Sequence, residues 1–352
     1  MSQLGAELVG SIPLFAGLDV RDMEGIVRIL QPMRFESGAR IMRQGQAADG
    51  AFIVASGTTA VVTALPGGGE TKVAELGAGS TLGEMALLES GTRTATVIAR
   101  TPVAGYFIER DDFRMLLAQR NASAFNIQNR ITRALCERLR ELNGRIVAAD
   151  APENPALPLS GLTADARESR RRTCSFDYRA FLPLLPAFRR YSAAELDAFL
   201  RETEVLEIDR GQLLFQQDNP GDAAFVVVRG ALEILHASEG LRRRIGVLGP
   251  GRLCGVLALI ESRMHSMSAA ARENSVLLEI SKTAFDRLFA GHDRMAAKFQ
   301  DAVNRELLQA LVRTNNHLTR LISQARIRGG RRERQEADEM QRAIGAQECR
   351  SA

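Results

Sequence analysis

The chain repeats itself, and no other feature narrows its fold as much. "DGAFIVASGTTAVV", from Asp49, lies against "DAAFVVVRGALEIL", from Asp222, at an offset of 173 residues. "LGAGSTLGEMALLES", from Leu76, lies against "LGPGRLCGVLALIES", from Leu248, at an offset of 172, and "IPLFAGLD" at Ile12 lies against "LPAFRRYS" at Leu185 at 173. One residue of drift over such a span means a tandem duplication, so both halves fold to one plan. The 352 residues suffice for two ordinary domains with extensions. The expected division is a first domain over 1–148, a linker over 149–177 rich in Pro and small polar residues, a second domain over 178–326, and a basic tail over 327–352. Dense charge, Gly-Gly and little apolar content predict disorder in that tail.

Each copy opens with a short helical segment, "VRDMEGIVRIL" or "AAELDAFLRET", and continues in short runs rich in Val, Ile and Phe. Glycine turns such as Ser56-Gly57, Gly67-Gly68-Gly69 and Arg229-Gly230 separate those runs. Many short strands punctuated by glycine point to a small barrel or jelly roll. Helix resumes over 111–119 and 122–148, and in the second copy over 282–290 and about 293–325, with Asp111 and Ser281 as expected N-caps. The fold class expected is therefore α+β: two tandem eight-stranded jelly-roll barrels, each flanked by helices, with a long C-terminal helix.

Composition excludes several functions. At 45% hydrophobic and 25% charged, this is a globular chain, with no apolar run of the length a membrane span needs. The start "MSQLGAELVGSIPLF" has neither a basic opening nor a signal core, so a cytoplasmic protein is expected. Cys136, Cys174, Cys254 and Cys349 form no CxxC pair and none of the four histidines is near a cysteine, which argues for reduced structural thiols and against a metal site. Arginines cluster in "RESRRRT" at 167–173 and "RIRGGRRERQ" at 326–335, where they either touch nucleic acid or an acidic partner or are simply solvated. No P-loop, HExxH, GxSxG or kinase signature occurs, so no enzyme, catalytic residue or cofactor is expected.

One stretch, "LGEMALLESGTRTATVIA" from Leu82, sets a single acid and a single arginine among small and apolar residues. Gly83 closes a turn into a short helical segment whose unpaired N–H groups suit an anion. Arg93 follows after the turn "ESGT" and folds back toward the same spot, and its fork of donors matches phosphate oxygens. Glu84 would repel a phosphate and must meet a donor, for which a sugar hydroxyl qualifies. Together they describe a ribose phosphate. The alternative is a surface ion pair worth about 0–1 kcal/mol.

Gly-Glu-x-Ala-Leu followed by Arg-Thr-Ala-Thr-Val resembles the phosphate-binding cassette of the cyclic-nucleotide-binding domain family. That family includes regulatory subunits of cAMP-dependent protein kinase, cGMP-dependent kinase, gated ion channels and the bacterial catabolite activator. The resemblance covers roughly 12–148 and 185–325. It implies a cassette of Gly83, Glu84, Met85, Ala86, Arg93, Thr94 and Ala95 that binds cAMP or cGMP. In it Gly83 and Glu84 hold the ribose 2′-hydroxyl, Arg93 pairs with the cyclic phosphate, and the N–H groups of Ala86 and Thr94 meet the remaining phosphate oxygens. Val61, Val73 and Leu76 match family positions that line the base. A hydroxyl at Thr94 is similar to that of members preferring cGMP, yet cAMP binders carry one too, so the base stays open.

The second cassette keeps Gly255 but has Val256 in place of Glu84 and His265 in place of Arg93. Valine accepts no hydroxyl bond, and a mostly neutral histidine lacks the bidentate fork. A buried phosphate without a counter-charge is costly, so this copy is expected not to bind a cyclic nucleotide as the first does. Only 26 residues follow Arg326, too few for the winged helix-turn-helix of the bacterial activators. The output expected is conformational, to an effector protein or across a homodimer. Leu308, Leu311, Asn315, Leu318, Ile322 and Ala325 form a seam fit for a two-stranded coil or for packing back on the barrel, and Ile127, Ile131, Leu135, Leu139 and Leu142 form a similar stripe. Arg171-Arg172-Thr173-Cys174-Ser175 resembles kinase substrate and inhibitor segments. The leading expectation is a non-catalytic sensor; the alternatives are a nucleic-acid-binding regulator of the catabolite-activator type and a ligand-free scaffold.

Overall fold

The Val, Ile and Phe runs become strands because branched and aromatic side chains suit a pleated, half-buried surface. The computed structural model describes residues 12–16, 18, 23–64, 70–149, 157–158, 176–238, 241–291 and 293–348, without the side chains at 71, 73, 148–149, 157–158, 238, 241 and 322–348. The first copy runs through α1 (Met23–Arg28), β1 (Leu30–Phe35), β2 (Arg40–Met42), β3 (Ala47–Ala48), β4 (Gly50–Ser56), β5 (Thr59–Ala64), β6 (Glu70–Leu76), β7 (Thr81–Leu82), β8 (Gly91–Thr92), β9 (Thr96–Ala99), β10 (Val103–Glu109), α2 (Arg110–Ala118) and α3 (Ala122–Ala149). After β11 (Leu157–Pro158) and α4 (Tyr178–Phe181), the second copy begins with α5 (Ala193–Arg201). Its strands are β12 (Glu204–Ile208), β13 (Leu213–Phe215), β14 (Ala223–Arg229), β15 (Leu232–Ser238), β16 (Leu241–Leu248), β17 (Leu253–Cys254), β18 (Ser268–Ala271) and β19 (Ser275–Ser281). The helix α6 (Val256–Glu261) follows β17, and α7 (Lys282–Ala290) and α8 (Arg294–Glu348) close the chain.

In the first copy the principal strands form two antiparallel sheets, β1-β10-β4-β7 and β2-β9-β5-β6, with β3-β8 as a separate pair. The second copy repeats the pattern as β12-β19-β14-β17 and β16-β15-β18-β13, with β11 added beside β16. Among the described residues no sheet closes on itself. Each copy is the double-sheet form of the jelly roll, a sandwich. Phe52, Val54 and Val103 from one sheet share a core with Met42, Val97 and Ala99 from the other. Phe225, Val227 and Leu277 meet Leu214, Leu232 and Ala269 in the second.

The helices lie near their expected positions. Ser192 and Glu195 form a capping box at α5, and the Ser281 side chain accepts from Ala284 N–H at 3.2 Å. Asp111 is not a cap: α2 starts one residue earlier, with Glu109 at the N-cap and Asp111 in the first turn, where its charge suits the helix dipole. The expected disorder after Arg326 is also corrected, since the α8 backbone stays helical to Glu348. Ala, Arg, Glu and Gln there favour helix strongly enough to carry Gly329-Gly330. Most of the linker, with its arginine run and Arg171–Ser175, lies outside the described residues.

The long helices α3 and α8 pack against each other, so the two copies of one chain are joined through corresponding surfaces. Thr132 Oγ1 donates to Asn304 Oδ1 at 2.7 Å, and Gln128 Nε2 donates to Gln300 Oε1 at 3.3 Å. Each pair is related by the repeat offset of 172. Equivalent residues meeting at two successive levels define a parallel, in-register pair around a pseudo-two-fold axis. Ile127, Ile131, Leu135 and Leu139 are buried, as are their counterparts Phe299, Val303, Leu307 and Leu311. Of the two pairings open to the α8 seam, part of it is taken up inside the chain: Leu311 and Leu318 are buried in the same core as the α3 stripe. Leu308 is half-buried and Asn315 exposed, while the side chains of Ile322 and Ala325 lie outside the described residues. Helix periodicity records that a stripe needs a partner, not which copy supplies it. Ion pairs flank the seam from both copies, through equivalent glutamates but non-equivalent arginines. Glu89 pairs with Arg305 on α8 at 3.2 Å, and its counterpart Glu261 pairs with Arg140 on α3 at 2.9 Å.

Candidate anion site

Gly83 adopts φ 68°, ψ 24° and caps a short 3-10 turn, Glu84–Leu87. Left-handed backbone suits glycine, and here space demands it too. A Cβ at this position would stand 2.2 Å from Arg93 Nη1 and 3.0 Å from Met42 Sδ. Arg93 is only 8% exposed, and its guanidinium returns to the turn as the spacing required. Nη2 donates to Asp49 Oδ1 at 2.7 Å, and Nη1 to the Gly83 carbonyl at 3.4 Å. The backbone fixes the approach: Arg93 N–H donates to Gln46 O and Gly45 N–H to Arg93 O, both at 2.8 Å. Asp49 is held in turn by Arg110, whose N–H donates to Asp49 O at 2.8 Å and whose Nη1 donates to Ala48 O at 2.9 Å.

Glu84 is half-buried beside this cation, and among the described residues no side chain donates to its carboxylate. Burial pushes its pKa above the ordinary carboxylate value, while its own N–H and the charges of Arg138 and Arg93 pull the other way. Because the folded pKa lies above the unfolded one, ionising Glu84 costs stability. That stability is intact below the ordinary carboxylate pKa and lost as pH rises through the raised value. Glu84→Gln is therefore expected to melt at a higher temperature than the ligand-free parent at pH 7, the gap closing in acid. Calorimetric melts across pH check this, and equal melting points at pH 7 would mean that the carboxylate is hydrated. Gly83→Ala is expected to cost about 1–2 kcal/mol in backbone strain and to displace the guanidinium tip, abolishing the anion site rather than the fold. Anion binding measured beside the melting temperature separates those two losses.

The other expected site residues divide. Ala86 is buried, but its N–H donates to the Gly83 carbonyl at 3.0 Å, so the donor expected to be free is engaged in the turn. Thr94 is exposed, with no acceptor for its N–H among the described residues, and Ala95 is half-buried. Met85 packs against the interdomain core, and Val61 and Leu76 pack against the core of the first sandwich. The Val73 side chain lies outside the described residues. Asp49 was not anticipated. Its signal was present, since the aligned repeats both begin with Asp49 and Asp222, but it stands 44 residues from Arg93.

The second copy keeps the frame and loses the charges. Gly255 is again left-handed, at φ 83°, and caps α6. Asp218 N–H donates to His265 O and His265 N–H to Asn219 O, both at 2.9 Å, reproducing the bonds that hold Arg93. His265 thus occupies the arginine position, but its ring stacks on Phe215 with centroids 3.9 Å apart and 12° between planes. Val256 is 2% exposed and stands where Glu84 would be. Burial pushes both the Cys254 and Cys136 thiols up to about 12, so neither is a reactive thiolate. No helix among the described residues is long and apolar enough to cross a membrane.

These features define a tandem β-sandwich module in which a buried arginine meets the cassette turn in the first copy and a histidine takes its place in the second. The cyclic nucleotide-binding domain family matches residues 32–120 and 205–292, together half of the chain, and the chain belongs to that family. A cAMP-dependent protein kinase regulatory subunit of Mycosarcoma maydis is 25% identical over 297 residues, covering 80% of this chain and 47% of that protein. The cGMP-dependent protein kinase 2 of Rattus norvegicus is 23% identical over 281 residues, covering 79% of this chain and 30% of its own. The chain therefore spans less than half of either relative. A regulatory domain of Toxoplasma gondii protein kinase A, solved with cAMP, is 19% identical, with 84% of this chain and 94% of that one covered at a TM-score of 0.30.

Proposed function

We propose that the protein is a non-catalytic cytoplasmic sensor that binds cAMP or cGMP in its first copy and passes a conformational signal to an effector protein. The observation that carries this reading is the buried Arg93 guanidinium converging with Glu84 on the Gly83 turn. Arg93 pairs with the cyclic phosphate, and the Glu84 carboxylate, to which no described side chain donates, accepts from the ribose 2′-hydroxyl, with Gly83 beside it. Thr94 N–H, open to solvent, donates to a phosphate oxygen, and Met85, Ala86 and Ala95 shape the pocket. Val61, Val73 and Leu76 line the base. The relatives are named for cAMP and for cGMP, which supports the ligand class and leaves the base to experiment.

The signal route is built into the seam. Glu89, which follows the cassette turn, is tied to Arg305 on the second copy's long helix. A ligand that shifts the turn shifts α8 by its differential affinity for the two arrangements, and no more. The two copies of one chain take the place of two subunits. Titration calorimetry of the full chain with cAMP and with cGMP tests the proposal. Saturable binding of either at one site per chain supports it, and no heat from both leaves a scaffold.

A further inference from the structure

We propose that Arg252, Glu306 and Arg313 form a latch that holds α8 against the second sandwich by charges of the chain itself, a device that the first copy lacks. Glu306 projects from α8 and is 7% exposed. Arg252, in the turn between β16 and β17, grips it with two prongs: Nε donates to Oε2 at 2.6 Å and Nη2 donates to Oε1. Leu253 N–H donates to the same carboxylate at 3.4 Å, and Arg313 Nη2, two helical turns further along α8, donates to Oε1 at 3.1 Å. A forked guanidinium–carboxylate pair fixes orientation as well as distance. The turn that carries Arg252 is itself anchored to β14, an inner strand of its sheet. Val227 N–H donates to Arg252 O at 2.9 Å, and Gly251 N–H donates to Val227 O at 2.8 Å.

The first copy has the same turn without the latch. Val54 N–H donates to Ser80 O at 2.9 Å, the bond that Val227 makes to Arg252, so Ser80 stands in the place of Arg252. Ala134 and Glu141 of α3 correspond to Glu306 and Arg313 at the offset of 172. A serine, an alanine and one exposed acid cannot build a charged tie. Charge has thus left the cassette of the second copy and stands instead between its sandwich and α8. Two guanidiniums share one carboxylate, and the surplus positive charge is hydrated at the Arg313 edge, where that side chain is 43% exposed. Opening the latch strands the buried carboxylate away from its cations, which keeps it shut. Arg305, the residue before Glu306, pairs with Glu89 of the first copy. One turn of α8 is therefore tied to both copies, and a displacement at Glu89 reaches the second sandwich through the latch.

Cys254 reports on the latch. It follows Leu253 in β17, is 4% exposed, and lines a cavity of about 350 Å³ between α8 and the second sandwich. Cys136 on α3 is buried in the core shared by the two copies and reports on the chain as a whole. The full chain, without nucleotide, is alkylated with iodoacetamide, and the rate at each thiol is read by peptide mass spectrometry. Glu306→Gln and Arg252→Gln are each expected to speed alkylation of Cys254 at least about tenfold, the factor for one charge-assisted hydrogen bond, with Cys136 unchanged. The double variant should label no faster than the faster single one, because both break the same tie. Asp286→Asn, which breaks an exposed pair with Lys282 in the same copy, should leave both rates as they are. Four results would each overturn the proposal: Cys254 as protected in Glu306→Gln as in the parent, Cys136 rising in step with Cys254, effects that multiply in the double variant, or an equal response to Asp286→Asn. None of these outcomes depends on whether the first copy binds a cyclic nucleotide.

Discussion

Arg93→Ala is expected to weaken cyclic-nucleotide binding about tenfold to a hundredfold, because a charge-assisted hydrogen bond is worth roughly 1.5–3 kcal/mol. The guanidinium is already in place before ligand arrives, clamped to Asp49 at 2.7 Å and by backbone bonds on both sides of the residue. Little ordering entropy remains to be lost on binding, so the interaction is felt nearly in full. The fold should survive the substitution. The Asp49 side chain is 72% exposed, and once unpaired it is hydrated rather than stranded. Arg93→Lys should recover only part of the loss, since an ammonium keeps the charge without the two-pronged geometry. Asp49→Asn should fall between parent and alanine variant, because the guanidinium stays buried but is held less firmly. Calorimetric affinities for cAMP and cGMP, read beside unchanged melting temperatures, check the series. An Arg93→Ala chain that binds as tightly as its parent would place the phosphate elsewhere.

Legibility of this molecule in its sequence follows from range. Features set by neighbours in the chain were visible: the repeat in register, the glycine turn before each cassette helix, the Ser281 cap, and the stripes of α3 and α8. Features set by distant pairs were not. Nothing local to Asp49 says that it clamps an arginine far along the chain, although its recurrence as Asp222 marked the position. The loss of Arg93's counterpart was plain, but not that Phe215, in the place of Met42, would lie against His265 and fill the space. The tail misled because charge and glycine were weighed above helix propensity. Most of all, a heptad-like stripe looks the same whether its partner is another chain or the other half of its own.

That last ambiguity has a measurable consequence. Leu307→Ala is expected to destabilise the whole chain by about 2–5 kcal/mol, the range for deleting a buried leucine side chain. Leu307 is fully buried, and its repeat counterpart Leu135 is 2% exposed on the facing helix. The flanking ion pairs cannot compensate. Arg305 and Glu89 are each about a quarter exposed, at 24% and 26%, and such a pair is worth about 0–1 kcal/mol. The apolar seam therefore decides how firmly the copies are joined. Leu214→Ala makes the comparison, since Leu214 belongs to the second sandwich's own core. Hydrogen exchange should show Leu307→Ala loosening amides in both α3 and α8, and Leu214→Ala loosening the second copy alone. If Leu307→Ala left α3 as protected as before, the two copies would not share one cooperative core, and the stripes would return to pairing between chains.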